Sequence, residues 1–182
     1  ACDAATRARL HNHPNKQIAK LAEKVLADAT SATRAEVLAK FKPALALKGD
    51  TAAGKGVFGQ VCIACHKLDG VGIELGPDLR SVVQHDAEKL MNSILDPSAV
   101  IEPGFMAYHC TLKSGEQLYG VIATETSGSL TLKMPGNVVR SVLRSEIATL
   151  QSTNASLMPD GLEAALTPQS LADLIAYLKL PR

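Results

Sequence analysis

The chain has 182 residues, of which 46% are hydrophobic and only 3% aromatic, and its formal net charge is +1 at pH 7. This composition is typical of a soluble globular protein, and the length suits one domain with or without an attachment. The near-neutral charge excludes the basic face that nucleic-acid binding needs. No apolar run approaches the roughly 20 residues of a membrane span. With so few aromatic residues, the core needs many aliphatic side chains or another large apolar group.

Residues 1–47 are expected to form a polar helical extension. The apolar face of its first helix is made by Ile18, Leu21, Ala22, Val25 and Leu26. Thr33 and Glu36 have the spacing of a capping box, which predicts a second helix that ends before Pro43. Two such helices cannot bury their apolar faces alone. We therefore expect them to pack on the rest of the chain or to continue an array of helical repeats. The extension has no candidate ligand that outranks those in the rest of the chain, so cofactor binding should not require it.

The four cysteines do not have the pattern of a disulfide framework. Cys2 is the second residue, whereas a lipid-modified cysteine is normally the first of a mature chain. Cys110 is isolated and is expected to pack as a small apolar residue, with a Cys2–Cys110 disulfide as the alternative in an oxidising compartment. Residues 1–10 lack the apolar stretch of a signal peptide, so we expect a mature form or a piece of a longer protein.

A five-residue motif at 62–66 carries most of the chemistry. It reads Cys-Ile-Ala-Cys-His, which is the attachment signature of c-type haem. The two thiols add across the two vinyl groups of the porphyrin, and the adjacent histidine supplies an imidazole nitrogen to the iron. The sequence therefore predicts that Cys62 and Cys65 hold one haem covalently and that His66 is an axial ligand.

Two other interpretations of this cysteine pair are weaker. A structural zinc ion needs four ligands, commonly from a second Cys or His pair, but His11 and His13 lie far away in the helical extension and Cys110 is single. A thioredoxin-like redox pair lies at a strand–helix junction, whereas this pair follows a predicted helix. That helix is capped by Asp50, runs to about residue 61, and carries Gly54 and Phe58 on one face.

Further elements are predicted after the motif. A helix follows Asp86, and the change in pattern at about 105–150 predicts an inserted β-meander that closes into a small barrel, with the general look of Sm-like or SH3-like barrels. The predicted strands are 107–112, 117–123, 129–133 and 138–143, with a short fifth at 145–150. Thr167 and Pro168 predict the start of a last helix. Its apolar stripe is Leu171, Leu174, Ile175 and Leu178.

The helices and the motif together resemble class I cytochrome c, and residues 173–179 are similar to the last helix of mitochondrial cytochrome c. The resemblance implies that the first helix crosses the last at a glycine and an aromatic residue. The matching positions are Gly54 and Phe58 against Leu174 and Tyr177. Glycine is needed at such a crossing because the two backbones approach closely.

The same resemblance implies further haem contacts. Pro77, in the Gly-Pro-Asp-Leu stretch at 76–79, would offer its carbonyl to the second nitrogen of His66 and fix its tautomer. Phe58 is also expected at the haem. Arg80 follows the stretch and is a candidate partner for a haem propionate, with a solvated surface arginine as the alternative.

Four methionines are candidates for the sixth ligand. Met91 falls in a helical core pattern, and Met106 and Met134 fall in predicted strands. Met158 lies in a loop just before the last helix and is followed by a proline, as the ligand methionine is in class I cytochromes. We therefore predict His66 and Met158 as the iron ligands, with His109 as the alternative that would give bis-histidine ligation.

The whole pattern over about residues 36–180 resembles a narrower family, the haem-binding domain found in Planctomycetes and Verrucomicrobia. The matching stretches are 45–50, 76–79, 94–99, 156–162 and 172–178. In that family the domain commonly ends a large secreted protein with HEAT-like helices and a dehydrogenase-like propeller. The resemblance implies that residues 1–47 are the tail of such helices and that 48–182 is the cytochrome domain. The expected fold is α+β, with class I cytochrome helices around one haem and the β-meander inserted.

The function expected from these features is one-electron transfer by an exported or periplasmic domain, with no catalysis by this chain. A fused or partner dehydrogenase would supply the electrons. The first alternative is a haem enzyme or gas-binding sensor with an open or labile sixth position. The second is an interaction module in which the β-meander binds a partner.

Overall fold

The computed structural model describes residue 10 and residues 13–181, without the side chains of residues 24–33. Cys2 and the side chains of Val25, Leu26 and Thr33 therefore lie outside the described part. The architecture is a mix of helices and a mostly antiparallel sheet, compatible with the expected α+β cytochrome domain. None of the helices in the described part has the length and apolar content that a bilayer span requires.

The N-terminal extension contains one continuous helix, α1 (Lys16–Phe41), which begins after Asn15. The Asn15 Oδ1 atom accepts a hydrogen bond from the backbone N–H of Gln17 at 2.9 Å. The predicted start of a second helix at Thr33 was wrong. No glycine or proline interrupts the chain there, so the helical hydrogen bonds continue through the capping-box sequence. The helix ends before Pro43, as predicted, in a 3₁₀ turn (Lys42–Ala46).

The end of α1 is part of the main apolar core. Phe41 is 1% exposed and Ala44 is 2% exposed, and both belong to one cluster with Phe58, Leu95 and Leu174. The division of the chain after residue 47 stays a prediction, but the core crosses it. Removing residues 1–43 would therefore open this core even though no candidate ligand lies there.

Three shorter helices surround this core. They are α2 (Thr51–Val57), α3 (Ala87–Leu95) and α4 (Pro168–Leu178). Asp50, Asp86 and Thr167 cap their N-termini by accepting backbone hydrogen bonds. Between α2 and α3 lies a two-stranded hairpin, β1 (Lys67–Leu68) and β2 (Val71–Gly72).

Helices α2 and α4 cross at backbone contact distance. A Cβ atom on Gly54 would overlap the carbonyl oxygen of Asp173 and lie 2.8 Å from Cβ of Tyr177. The buried Asp173 carboxylate also accepts a hydrogen bond from the Asp50 backbone N–H at 2.8 Å. This is the crossing that the resemblance implied at Gly54. It fixes α2 on α4.

The inserted segment forms a five-stranded antiparallel sheet. Its strands are β3 (Met106–Leu112), β4 (Gln117–Glu125), β5 (Ser129–Met134), β6 (Val138–Leu143) and β7 (Ile147–Ser156), in the order β6-β5-β4-β3-β7. The fifth strand is longer than predicted and ends at Ser156. It pairs with β3, with register shifts in the ladder, which are the kind of irregularity that bends a strand. Closure into a barrel stays a prediction, since the described ladders leave β6 and β7 as edges.

The two faces of this sheet have different surroundings. One face carries a second core cluster of Cys110, Leu112, Leu118, Leu130, Leu132 and Val142. Ala107 and Val121 are cross-strand neighbours on the opposite face and are also buried. Lys133 pairs with Val121 in register, and its Nζ lies 3.5 Å from Oε1 of Glu74. This second face therefore lies toward the segment that follows the Cys-Ile-Ala-Cys-His motif.

The helix crossing predicts opposite effects for two glycines of α2. Gly54→Ala should lower the free energy of unfolding by about 1–3 kcal/mol, because the new methyl group meets a backbone carbonyl that cannot move aside easily. Gly56→Ala is the matched control, since nothing lies within 4 Å of its Cβ position. It should stabilise the protein by about 0.5–1 kcal/mol through helix propensity. Urea unfolding followed by circular dichroism measures both, and equal effects would contradict the crossing.

Candidate functional site

Helix α2 continues into a π-helical turn (Phe58–Cys62) that delivers the first cysteine of the motif. The backbone N–H of Ile63 donates to the carbonyl of Phe58 at 3.1 Å, which spans five residues instead of four. The sequence predicted a helix to about residue 61 but gave no signal for this widened turn. Such π-turns are frequent at functional sites because they redirect the side chains at a helix end.

The motif itself is a compact turn closed on the carbonyl of Cys62. The backbone N–H groups of Cys65 and His66 both donate to that carbonyl, at 3.0 and 2.9 Å. Both cysteine thiols are half-buried and unpaired. Burial raises the pKa of Cys62 to about 12 and also raises that of Cys65, so both sulfurs stay protonated at neutral pH.

His66 is oriented by Pro77. Its Nδ1 lies 2.8 Å from the Pro77 carbonyl oxygen, so Nδ1 carries the proton and donates, and Nε2 keeps the lone pair. Burial lowers the pKa of His66, although the hydrogen bond to Pro77 acts in the opposite direction. A neutral imidazole with its lone pair on Nε2 is the form that binds a metal ion.

The segment 73–77 holds the histidine ring closely. The N–H groups of Leu75 and Gly76 donate to the carbonyl of Cys65, at 3.1 and 2.7 Å. A Cβ atom on Gly76 would lie 2.6 Å from Cε1 of His66, so only glycine leaves space for the ring. Two free thiols and an oriented imidazole are what covalent attachment and axial ligation of haem c require. The residues therefore fit that group.

The surroundings of the two cysteines do not favour a zinc site. Among the described residues, no group of three or more His, Cys, Asp and Glu side chains is placed to share a metal ion. Within the described part of the chain, the Cys62–Cys65 pair therefore lacks the further ligands that a structural zinc site needs.

The other two predicted haem contacts differ in their surroundings. Phe58 is buried in the core, and its ring centroid is 5.9 Å from that of Tyr177 at an angle of 50°. Its contact with haem stays a prediction. Arg80 is half exposed, and its Nη2 lies 2.6 Å from Oδ1 of Asp69. This ion pair favours the surface role of Arg80 over the propionate role, which also stays a prediction.

Met158 lies in the loop between β7 and a 3₁₀ turn (Leu162–Ala165), and it is half-buried. Its backbone N–H donates to Oγ of Ser156 at 3.1 Å, and the N–H of Ser156 donates to Oγ of Ser98 at 3.1 Å. The sequence did not reveal that the last strand of the inserted sheet leads directly into this loop. The only signal was the strand-like composition before Ser156.

The remaining methionines lie in packed elements. Met91 is 3% exposed in the main core on α3, which confirms its interpretation as a core residue. Met106 and Met134 are half-buried in the sheet. Met134 and Leu75 both line a small pocket of about 100 Å³.

His109 has an unusual environment on β3. Its ring stacks on that of Tyr119, with centroids 4.7 Å apart. Its Nε2 atom is buried and has no hydrogen-bond partner among the described residues. Burial lowers its pKa, which favours the neutral imidazole. His109 therefore stays an alternative ligand.

Comparison with known proteins points to the same chemistry. Residues 49–120 match the family model described as cytochrome C oxidase, cbb3-type, subunit III. The match covers less than half of the chain, includes Cys62, Cys65 and His66, and ends before Met158. It supports a c-type cytochrome domain, a class of electron-transfer modules with covalently bound haem c. No curated protein matches the chain.

The close packing of Gly76 against the His66 ring predicts that a side chain at position 76 displaces the ring. Gly76→Ala should displace the His66 ring and weaken its bond to iron, because the new methyl group overlaps the imidazole. We expect a high-spin component in the visible spectrum and a loss of about 1–3 kcal/mol in unfolding free energy. Gly59→Ala is the control, since its Cβ position is open. An unchanged Gly76→Ala spectrum would contradict the inference that Gly76 leaves the space that the His66 ring needs.

Proposed function

We propose that this chain is a monohaem c-type cytochrome domain that transfers one electron at a time. In this proposal Cys62 and Cys65 hold the haem, and His66 and Met158 are its axial ligands. The observation that carries the proposal is the 2.8 Å hydrogen bond between His66 Nδ1 and the Pro77 carbonyl, next to two free thiols. The family match over residues 49–120 supports it independently.

The bound haem would supply a ferric–ferrous couple. The residues of the chain then set how easily that couple is reduced. The Pro77 carbonyl makes His66 a more basic ligand by accepting its Nδ1 proton in a hydrogen bond. The thioether of Met158 favours the ferrous state, and burial of the site in apolar surroundings raises the reduction potential further. With both axial positions filled by side chains, substrate cannot reach the iron, so the domain itself need not be an enzyme.

The cellular setting follows from the chemistry and from the resemblance described above. Thioether formation needs reduced thiols and haem delivered to an exported chain, so the domain would work in the periplasm or in another exported location. Electrons would come from a partner protein or from a fused dehydrogenase, as the arrangement in the Planctomycetes and Verrucomicrobia family suggests. Residues 1–47 would then be the end of preceding HEAT-like helices.

The second candidate function is a haem enzyme or gas-binding sensor, which requires an open or labile sixth position. One observation bears on the ligand set, namely the buried and unpaired Nε2 of His109. If His109 rather than Met158 binds the iron, the domain is bis-histidine ligated. If neither side chain binds, the enzymatic or sensing function replaces electron transfer.

Covalent attachment predicts a specific mass. Protein matured in a host that makes c-type cytochromes should carry the mass of one haem after denaturation, because thioether bonds survive unfolding. Replacing both Cys62 and Cys65 by serine should abolish the added mass. Cys110→Ala is the matched control, since this cysteine is fully buried in the sheet cluster, and it should keep the haem. Bare polypeptide mass for the unmodified protein would end the proposal.

Axial ligation predicts different effects for two methionines. Met158→Ala should convert the iron to a high-spin or water-bound form, lower its reduction potential and let the ferrous protein bind carbon monoxide readily. Met91→Ala, a truncation in the core, should cost about 2–5 kcal/mol of stability and leave the spectrum unchanged.

The His109 alternative is tested in the same series. Optical spectra and potentiometry should show no change of ligation for His109→Ala. A low-spin spectrum that survives Met158→Ala but is lost in His109→Ala would assign the sixth ligand to His109 instead.

A further inference from the structure

The loop that carries Met158 is held on its N-terminal side by Ser98, which follows α3, and on its C-terminal side by Arg34 of α1. On its N-terminal side, Ser156 donates its N–H to Oγ of Ser98 at 3.1 Å, and its own Oγ accepts the N–H of Met158 at the same distance. On its C-terminal side, Glu163 in the 3₁₀ turn forms an ion pair with Arg34 of α1. Arg34 also donates from Nη1 to the carbonyl of Leu95 at 2.9 Å. These contacts thus hold the loop on both sides.

The Arg34–Glu163 pair is bidentate and largely withdrawn from solvent. The two bonds run from Nη2 to Oε1 at 2.5 Å and from Nη1 to Oε2 at 3.0 Å. The side chains are 10% and 19% exposed. Such a fork-to-carboxylate contact fixes orientation as well as distance. Removing either partner leaves the other charge without compensation in a partly buried position, which is costly.

The groups around Arg34 favour its charged form. The hydrogen bond to Glu163 raises the pKa of Arg34 against the effect of burial, and the negative charges of Glu163, Asp160 and Asp96 act in the same direction as the hydrogen bond. Asp160 belongs to the Met158 loop, and Asp96 follows Leu95. Arg34 therefore attracts carboxylates both in the loop and in the segment just after α3.

We infer that Arg34 is a positioning residue that holds the Met158 loop closed, so that the N-terminal helix controls how firmly the thioether stays on the iron. The inference rests on the proposed ligation by Met158. It gives helix α1 a role that its lack of ligand candidates does not suggest. Loss of the pair would let the loop open while the helices of the core stay folded.

The test measures loop opening separately from global stability. In the ferrous haem protein, carbon monoxide can bind only after the methionine leaves, so the binding rate reports opening of the loop. Arg34→Met and Glu163→Gln should each accelerate binding by about tenfold, which corresponds to about 1.4 kcal/mol in opening free energy. The double variant should add little to Arg34→Met, because both changes break one interaction. Arg34→Lys should lie between Arg34→Met and the unmodified protein.

The control is Met91→Ala, which truncates a side chain in the main core that is only 3% exposed. It should lower stability in urea and leave the carbon monoxide rate unchanged, since the Met91 side chain takes no part in the hydrogen bonds that hold the loop. Acceleration in Met91→Ala equal to that in Arg34→Met would show a general loss of stability and overturn the inference. If Arg34→Met fails to fold, Glu163→Gln decides by the same criterion.

Met158→Ala, measured in parallel, distinguishes a failure of the role of Arg34 from a failure of the proposed ligation by Met158. Fast binding in Met158→Ala with unchanged rates in both Arg34→Met and Glu163→Gln would overturn only the role of Arg34. A Met158→Ala protein with the spectrum and rate of the unmodified protein would overturn the proposed ligation, and the role of Arg34 with it.

Discussion

The close crossing of α2 and α4 is the constraint on which the rest of the structure depends. Gly54 lets the two backbones touch, and Asp173 joins them a second time through the N–H of Asp50. Helix α2 leads through the π-turn to Cys62, whereas α4 begins shortly after the Met158 loop. Two segments that lie far apart in sequence are therefore fixed relative to each other by a backbone contact that admits no side chain.

The inserted sheet and helix α1 both contact the segment around Met158. The inserted sheet returns through β7, whose last residue Ser156 supports the backbone of Met158. Helix α1 reaches the other side of the loop through Arg34 and contributes Phe41 to the main core. The sheet also contacts the motif side, where Lys133 lies near Glu74. The sheet and α1 therefore contact both of the segments that carry the proposed haem ligands.

The sequence predicted those features that depend on local rules. Caps at Asp50, Asp86 and Thr167 and the strand-like runs of the insertion all rest on propensities that act over a few residues, and the structure confirms them. The attachment motif was equally visible because its chemistry fixes both residue types and spacing. The break in α1 at Thr33 was wrong because a capping box is also an ordinary helical sequence when nothing interrupts it.

Features that depend on tertiary packing were not predictable. No local pattern marks the π-turn that ends at Cys62, and the pairing of β7 with β3 brings together strands from opposite ends of the insertion. The partnership of Arg34 with Glu163 joins residues from nearly opposite ends of the chain, for which no spacing rule exists.

Histidine–methionine ligation is tested most directly by the optical spectrum of the unmodified haem protein in its ferric and ferrous states, recorded before and after addition of carbon monoxide. We expect a low-spin, methionine-type spectrum in both states and slow binding of carbon monoxide by the ferrous protein, because a side chain occupies the sixth position. A high-spin spectrum with immediate carbon monoxide binding would show an open site and contradict electron transfer through a histidine–methionine-ligated iron.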